Sequence, residues 1–191
     1  MLETLTYPTL LALEKGSDNM LGADNQQERL KTVGWIVGFV DGEGCFSVTI
    51  QKAPSTATGW QVFPEFVVTQ GEKSLQALRD LQEFFGCGKV FINHRYDNHR
   101  EQLYRFCVRS ATDLREKIAP FFREHQLRTA KREDFNKFAR VLELMAERKH
   151  LSSVGIMEIA TIVQTMNRKK PSRFLESSET TRQAPVTQVK I

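Results

Sequence analysis

The sequence lacks the usual features of a secreted or membrane-embedded protein. Its 191 residues include only three cysteines, which cannot all pair within one chain, so we expect reduced thiols. It shows no basic leader followed by an apolar stretch and a cleavage site, and no apolar run approaches the roughly 20 residues that cross a bilayer. We expect no membrane partner and a cytoplasmic location, or an organelle matrix if an organelle encodes the chain.

Metal binding by cysteine and histidine also has little support. No paired cysteine spacing typical of a zinc site is present. Cys87, His94 and His99 could together offer three ligands, and they stay an alternative metal site.

Charge is modest overall but unevenly placed. The formal net charge is +4, and residues 1–30 carry five acidic side chains against two basic ones, so the remainder is more basic than the whole. A positive body favours a polyanionic partner. In the stretch 167–173 (NRKKPSR), basic side chains either form a solvated loop or contact phosphates, and the candidates are Arg168, Lys169 and Lys170.

Apolar periodicity predicts an α+β fold. We expect one domain over residues 27–182, a poorly structured extension over 1–26 and a disordered tail over 183–191. The predicted elements are a helix from Gln27 to the glycines at 42 and 44, strands 45–52 and 60–69, a helix from Leu75 to Gly86, strands 89–93 and 103–109, and helices near 112–123, 131–149 and 152–166. This αββαββα order with extra C-terminal helices predicts an antiparallel sheet with helices on one face.

The segment 34–44, GWIVGFVDGEG, carries the most chemical information. Gly34, Gly38 and Gly42 recur every four residues, which leaves one helix face without side chains and lets another helix approach closely. Asp41 and Glu43 end the run, and paired carboxylates with a divalent metal are typical of phosphodiester hydrolysis. The segment therefore predicts an interface beside an active site, and the alternative is a buried helix followed by a glycine-rich turn.

At these residues the chain resembles the LAGLIDADG homing endonucleases. The string IVGFVDGEG keeps Gly38, Asp41 and Gly44 of the family motif, and Glu43 stands at its last aspartate. Further matches are VVTQ (67–70), FFGCGKV (84–90), PFF (120–122) and ESSET (176–180). The resemblance implies an intron- or intein-encoded, metal-dependent DNA endonuclease, and the single motif implies a homodimer.

The resemblance also assigns roles in the active site. Glu43 matches the metal-binding acid, and the carbonyl of Gly42 would add a second oxygen ligand. A hard cation held by few carboxylates and phosphate suggests Mg²⁺. Gln70 corresponds to a residue that positions the attacking water, and Lys131 to a basic residue near the scissile phosphate. Arg128 and Arg132 are alternatives to Lys131, and Asp41 either binds metal or braces the helix end.

The sheet face that helices leave open is the predicted DNA-binding surface, because the family lays such a sheet in the major groove. The alternative is an ordinary solvated face. The residues predicted on the open side are Ser47, Thr49, Gln51, Gln61, Glu65, Arg105 and Arg109, with Cys107 between the two arginines. Two copies would cover about two DNA turns, so we expect a partly palindromic target of about 20 base pairs. Two other functions remain open on this scaffold: an RNA maturase that binds its host intron, and a nuclease-inactive DNA-binding protein.

Overall fold

A computed structural model describes residues 21–93 and 102–167, with side chains described from residue 25 onwards. The predicted tail, residues 1–20, the basic residues Arg168, Lys169 and Lys170, and the alternative zinc ligands His94 and His99 lie outside these ranges.

Helices and strands follow one another along the chain in the predicted order. The elements are α1 (Leu21–Glu43), β1 (Gly44–Lys52), β2 (Trp60–Gly71), α2 (Leu75–Phe85), β3 (Lys89–Asn93), β4 (Leu103–Val108), α3 (Ala111–Asp113), α4 (Ala119–Glu124), α5 (Lys131–Ala146) and α6 (Ser153–Val163). A π-helical turn, Leu114–Ile118, joins α3 to α4, and 3-10 turns cover Glu72–Ser74 and Lys149–Leu151. The α+β class and the extra C-terminal helices are confirmed.

The four strands form one sheet in the order β1-β2-β4-β3. β4 pairs antiparallel with both β2 and β3. In the β2–β4 ladder Phe66 lies opposite Val108, and Gln70 lies opposite Tyr104. This register brings the side chain of Glu65, one residue before Phe66, close to the end of β4.

The described chain divides into two compact units. The first contains the residues up to Phe46 and Glu65–Phe135, and its core is built from phenylalanine rings. Phe66 stacks on Phe46 at 4.9 Å between ring centroids and meets Phe122 edge-on at 5.7 Å, while Phe85 of α2 meets Phe66 edge-on at 6.4 Å. Within this unit, rings from the helices therefore cover one side of the strands, as predicted.

The second unit contains Ser47–Pro64 and the described residues from Asn136 onwards. Its buried side chains are apolar and include Val48, Ile50, Val62, Phe138, Val141, Leu142, Ile156 and Ile159. Ser152 caps α6 by accepting a hydrogen bond from the Gly155 amide at 3.1 Å. An added Cβ at Gly155 would lie 2.0 Å from the Lys149 carbonyl oxygen, so this close approach requires glycine.

The first helix begins earlier than predicted. α1 starts at Leu21 rather than at Gln27, so residues 21–26, assigned to a poorly structured extension, are helical. These residues carry few apolar side chains and show no helical period of their own. The boundaries of a single domain over 27–182 stay a prediction.

None of the helices in the part of the chain that the structure describes has both the length and the apolar character needed to span a bilayer.

Candidate active site at the end of the glycine-rich helix

The α1 helix has a buried stripe and an open glycine face. Val33, Ile36 and Val40 are buried, whereas Gly34, Gly38 and Gly42 are exposed. A Cβ atom added at any of the three glycines would meet no heavy atom within 4 Å. A groove of about 480 Å³ runs along this face, lined by the first two glycines together with Val37, Asp41, His125, Gln126 and Arg128. The face is therefore open, and its role as an interface stays a prediction.

Helix α1 passes into strand β1 without a loop. The helix ends at Glu43, and the strand begins at Gly44. An added Cβ at Gly44 would lie 2.6 Å from Val40 Cγ1 and 2.8 Å from the Val40 carbonyl oxygen. Only glycine fits this junction, which leaves the Glu43 side chain exposed at the helix end.

The side chain of Lys131 lies at the same helix end. Its ammonium donates to the carbonyl oxygens of Val40, at 2.9 Å, and Gly42, at 3.1 Å. The last carbonyls of a helix lack intrahelical donors and favour a cation, and the last turn of α1 has no basic residue of its own. Lys131, the first residue of α5, supplies that cation from elsewhere in the chain.

The pKa of Lys131 is set by opposing effects. Burial lowers this pKa below its usual 10.5, and the nearby acidic groups Cys45, Asp41 and Glu43 oppose the shift. Because Lys131 donates to the carbonyl of Gly42, the residue before Glu43, both charged groups lie at the same helix end. The sequence pattern does not mark Cys45 as part of this site, although Cys45 follows Gly44 directly.

Asp41 braces the turn that leads into α5. Its Oδ2 accepts from the Arg128 amide at 2.7 Å, and its Oδ1 accepts from the amide and hydroxyl of Thr129 at 3.2 and 2.7 Å. Burial raises the pKa of Asp41, but these hydrogen bonds outweigh it and hold the pKa below the usual 3.8. Of the two roles left open by the sequence, the contacts support bracing.

Glu43 and Gly42 offer the donor set of a hard divalent cation. A carboxylate and a backbone carbonyl are oxygen ligands of the kind that Mg²⁺ and Ca²⁺ bind, and a carbonyl already bonded to Lys131 keeps a second lone pair. Among the residues that the structure describes, no three His, Cys, Asp or Glu side chains group in a way that could hold a metal. The residues therefore fit a cation whose remaining ligands come from a second copy, DNA or water.

The other predicted catalytic residue is Gln70. It lies one residue before the end of β2, is half-buried and pairs with Tyr104. Its role in positioning water stays a prediction. Arg128 and Arg132, the alternatives to Lys131, are both exposed.

The predicted DNA-binding residues are divided between the two units. In the second unit, Thr49, Gln51 and Gln61 are exposed and Ser47 is half-buried, and they alternate with buried apolar residues. In the first unit, the carboxylate of Glu65 accepts hydrogen bonds from Arg105 and Arg109. Most of the predicted open positions are therefore accessible.

Cys107 lies on the same side of β4 as Arg105 and Arg109, as the alternation predicts, but it is buried rather than exposed. Its thiol donates to Glu65 Oε2 at 3.2 Å. The alternation therefore predicts the side of the strand correctly, and it does not predict that the Cys107 thiol is buried against Glu65.

Comparisons with known proteins agree with this arrangement. The model of the LAGLIDADG endonuclease family matches residues 36–142. A probable intron-encoded endonuclease 2 of Neurospora crassa is 34% identical over 159 residues, which cover 82% of this chain and 33% of that protein. The chain thus spans about a third of the length of this curated relative.

Solved structures share the fold. The homing endonuclease I-TnaI has a TM-score of 0.70 at 38% identity, with 78% of this chain and 96% of that chain covered. The nuclease I-SmaMI, bound to uncleaved DNA target in the presence of calcium ions, has a TM-score of 0.68 at 32% identity, covering 75% of this chain and 47% of that one. The matched segment contains Gly38 and Gly42 of the glycine face, Glu43, Gln70 and Lys131, so this chain belongs to the LAGLIDADG endonuclease family.

Proposed function

We propose that this chain is a site-specific homing endonuclease that acts as a homodimer and cleaves both strands of a partly palindromic DNA target by metal-dependent hydrolysis. The observation that carries the proposal is the end of α1, where the exposed Glu43 lies near the Lys131 ammonium and beside an open glycine face. The family supports DNA cleavage, and the metal, the dimer and the target are inferred from the site.

Two copies are needed because one chain supplies only one face and one carboxylate of a paired site. Each chain has one glycine face and one exposed motif carboxylate, since both oxygens of Asp41 accept hydrogen bonds within the same chain. Packing two α1 helices through their glycines would bring the two Glu43 side chains together. Their mutual repulsion would be relieved by bound cations, as is usual for paired carboxylates at hydrolytic centres.

Each of these residues would have a separate part in the chemistry. A bound Mg²⁺ would acidify water and offset negative charge on the phosphate. Glu43 and the Gly42 carbonyl would hold the cation, and Gln70 would orient the attacking water. Lys131 would keep its positive charge beside the scissile phosphate, because charge grows there as the bond breaks.

DNA would lie against polar side chains of the strands. Thr49, Gln51 and Gln61 are exposed and can bond to base edges, with glutamine suited to adenine and arginine to guanine. The relative I-SmaMI, solved with an uncleaved DNA target in the presence of calcium ions, supports both the DNA partner and the divalent cation. The predicted phosphate contacts of Arg168, Lys169 and Lys170 belong to the same proposal.

The deciding experiment uses duplex DNA that spans the uninterrupted insertion site of the reading frame. Purified protein with Mg²⁺ should cut both strands at one position, and chelation by EDTA should stop cleavage without preventing binding. Binding without cleavage under any divalent cation would instead identify a nuclease-inactive DNA-binding protein. Preferential binding to the host intron RNA would favour the maturase function.

A further inference from the structure

A cluster of charged side chains on β2 and β4 holds two of the predicted DNA-binding arginines. We call Glu65, Arg105 and Arg109 the glutamate clamp. Glu65 lies on β2, Arg105 lies on β4, and Arg109 directly follows β4. All three belong to the first compact unit.

Both oxygens of the carboxylate are occupied. Glu65 Oε1 accepts from Arg105 Nη2 at 3.2 Å, and Oε2 accepts from Arg109 Nε and from the Cys107 thiol. Burial, followed by the hydrogen bond to Glu65, raises the pKa of Cys107 to about 12, so the thiol stays protonated and remains a donor. Three donors from alternate positions along one stretch of chain therefore fix the orientation of the carboxylate.

The two guanidiniums keep unused donors. The Arg105 side chain is 27% exposed and binds Glu65 through Nη2, whereas its Nε is buried, so any contact with DNA would come from its terminal nitrogens. The Arg109 side chain is 65% exposed and is bound to Glu65 through Nε, which leaves its terminal nitrogens available. One negative charge is shared between two positive ones, so the cluster keeps a net positive charge. The bonds to Glu65 also fix the orientation of both guanidiniums.

This arrangement changes what the arginines can bind. A guanidinium with no partner binds any phosphate, which raises affinity for every sequence and carries no base information. A guanidinium already paired with a carboxylate gains less from a phosphate, because that contact must compete with an existing charge-assisted bond. A base edge with two acceptors at fixed positions can still use the donors that remain.

We propose that Glu65 is a positioning and specificity-determining residue, which holds Arg105 and Arg109 for base recognition and suppresses their sequence-independent binding to phosphate. The inference rests on the proposed DNA-binding function. It assigns to Glu65 the orientation of the two arginines, whereas the sequence analysis predicts only a direct contact between Glu65 and DNA.

The test compares Glu65→Gln with the unaltered protein on two probes: the insertion-site duplex and a duplex of random sequence. The variant should bind random duplex about tenfold more tightly at low salt, with a salt dependence steeper by about one unit for each guanidinium that gains a phosphate. Affinity for the insertion site should rise less or fall, so the ratio of the two affinities should drop.

Two variants serve as controls. Glu83→Gln removes the same charge from an exposed position on α2 in the same unit, and it should leave the affinity ratio unchanged. Glu65→Asp keeps the charge on a shorter side chain that cannot reach both arginines, so it should give an intermediate ratio of the two affinities. If Glu65→Gln fails to fold, Glu65→Asp still tests the proposal.

The possible failures are distinguishable. If the unaltered protein shows no preference for the insertion site over random duplex, the proposed function itself fails. If it does discriminate, and the Glu65 variants keep the same affinity ratio and salt slope, the clamp proposal alone is overturned. Equal loss of affinity for both probes with an unchanged slope would also overturn it, because that result indicates a structural role.

Discussion

Two acidic residues, two positions apart, have different surroundings at the end of α1. Asp41 accepts three hydrogen bonds from the turn before α5, while Glu43 is exposed beyond the last buried residue of the helix. A sequence motif shows both as carboxylates near a metal. The hydrogen bonds distinguish the roles of the two residues. These bonds come from a turn that lies 87 and 88 residues further along the chain than Asp41, so the motif alone cannot show them.

The first prediction at this scale is that Glu43→Gln abolishes cleavage and leaves binding to the insertion-site duplex intact or slightly tighter. The amide is a poor metal ligand, and its neutrality removes one negative charge per copy from the centre facing DNA. Glu28→Gln, which removes the same charge from an exposed position on α1, should cleave normally. Near-normal cleavage by Glu43→Gln, measured by single-turnover kinetics, would contradict the assignment.

The bracing role of Asp41 predicts a pH-dependent loss of stability in Asp41→Asn. Because the folded-state pKa lies below 3.8, the ionised group stabilises the fold above pH 3.8, and this contribution is lost as the pH falls through the lowered pKa. We expect the variant to be less stable by about 1 to 2 kcal/mol at pH 7. The difference between the two urea midpoints should shrink below pH 3.8, and a constant difference would exclude the ionised brace.

Lys131 should lose its proton at a pH below 10.5, because burial lowers its pKa. The folded chain then holds this proton less tightly than the unfolded chain, so the contribution of Lys131 to stability rises with pH up to 10.5. NMR titration of labelled lysines should show one early-titrating resonance that is missing in Lys131→Arg. A Lys131 resonance that titrates at or above 10.5 would contradict the partial burial of this ammonium.

Among whole elements, α1 combines the most functions. Its buried stripe anchors it, its glycine face lies open, and its last carbonyls hold Lys131. Gly38→Leu should abolish dimerisation and cleavage while preserving or raising the stability of the single chain. A Cβ added at Gly38 meets no heavy atom within 4 Å, and glycine inside a helix costs about 0.5 to 1 kcal/mol relative to alanine.

Analytical ultracentrifugation and thermal melting together check this prediction. The variant should sediment as a monomer with an unchanged or higher melting temperature. An intact dimer would exclude the glycine face as the interface. A monomer that melts much earlier would show that the face packs within the chain.

The elements differ in how well their sequences predict them. Strand β3 has the predicted bounds, 89–93, because Gly88 precedes an apolar run of strand length. The π-helical turn at Leu114–Ile118 was not predicted, since its apolar residues fit ordinary helical spacing. Lys131 was found only through family resemblance, because its carbonyl partners lie on a different element.

For the whole molecule, the length of the DNA target distinguishes a dimer from a single chain. β1 has nine residues, which span about 30 Å, close to the roughly 34 Å of one DNA turn. Selection from a random duplex library should therefore return a partly palindromic consensus of about 20 base pairs. A consensus of half that length without symmetry would indicate that one copy binds alone.

The direct passage from α1 to β1 has a consequence for how this protein can change. A residue inserted between Glu43 and Gly44 would turn the preceding helix by about 100° relative to the strand or move every β1 side chain to the opposite face. Substitutions along β1 carry no such penalty, because they leave its register intact. New target preferences can therefore arise by exchange of strand side chains, whereas the junction tolerates neither gain nor loss of a residue.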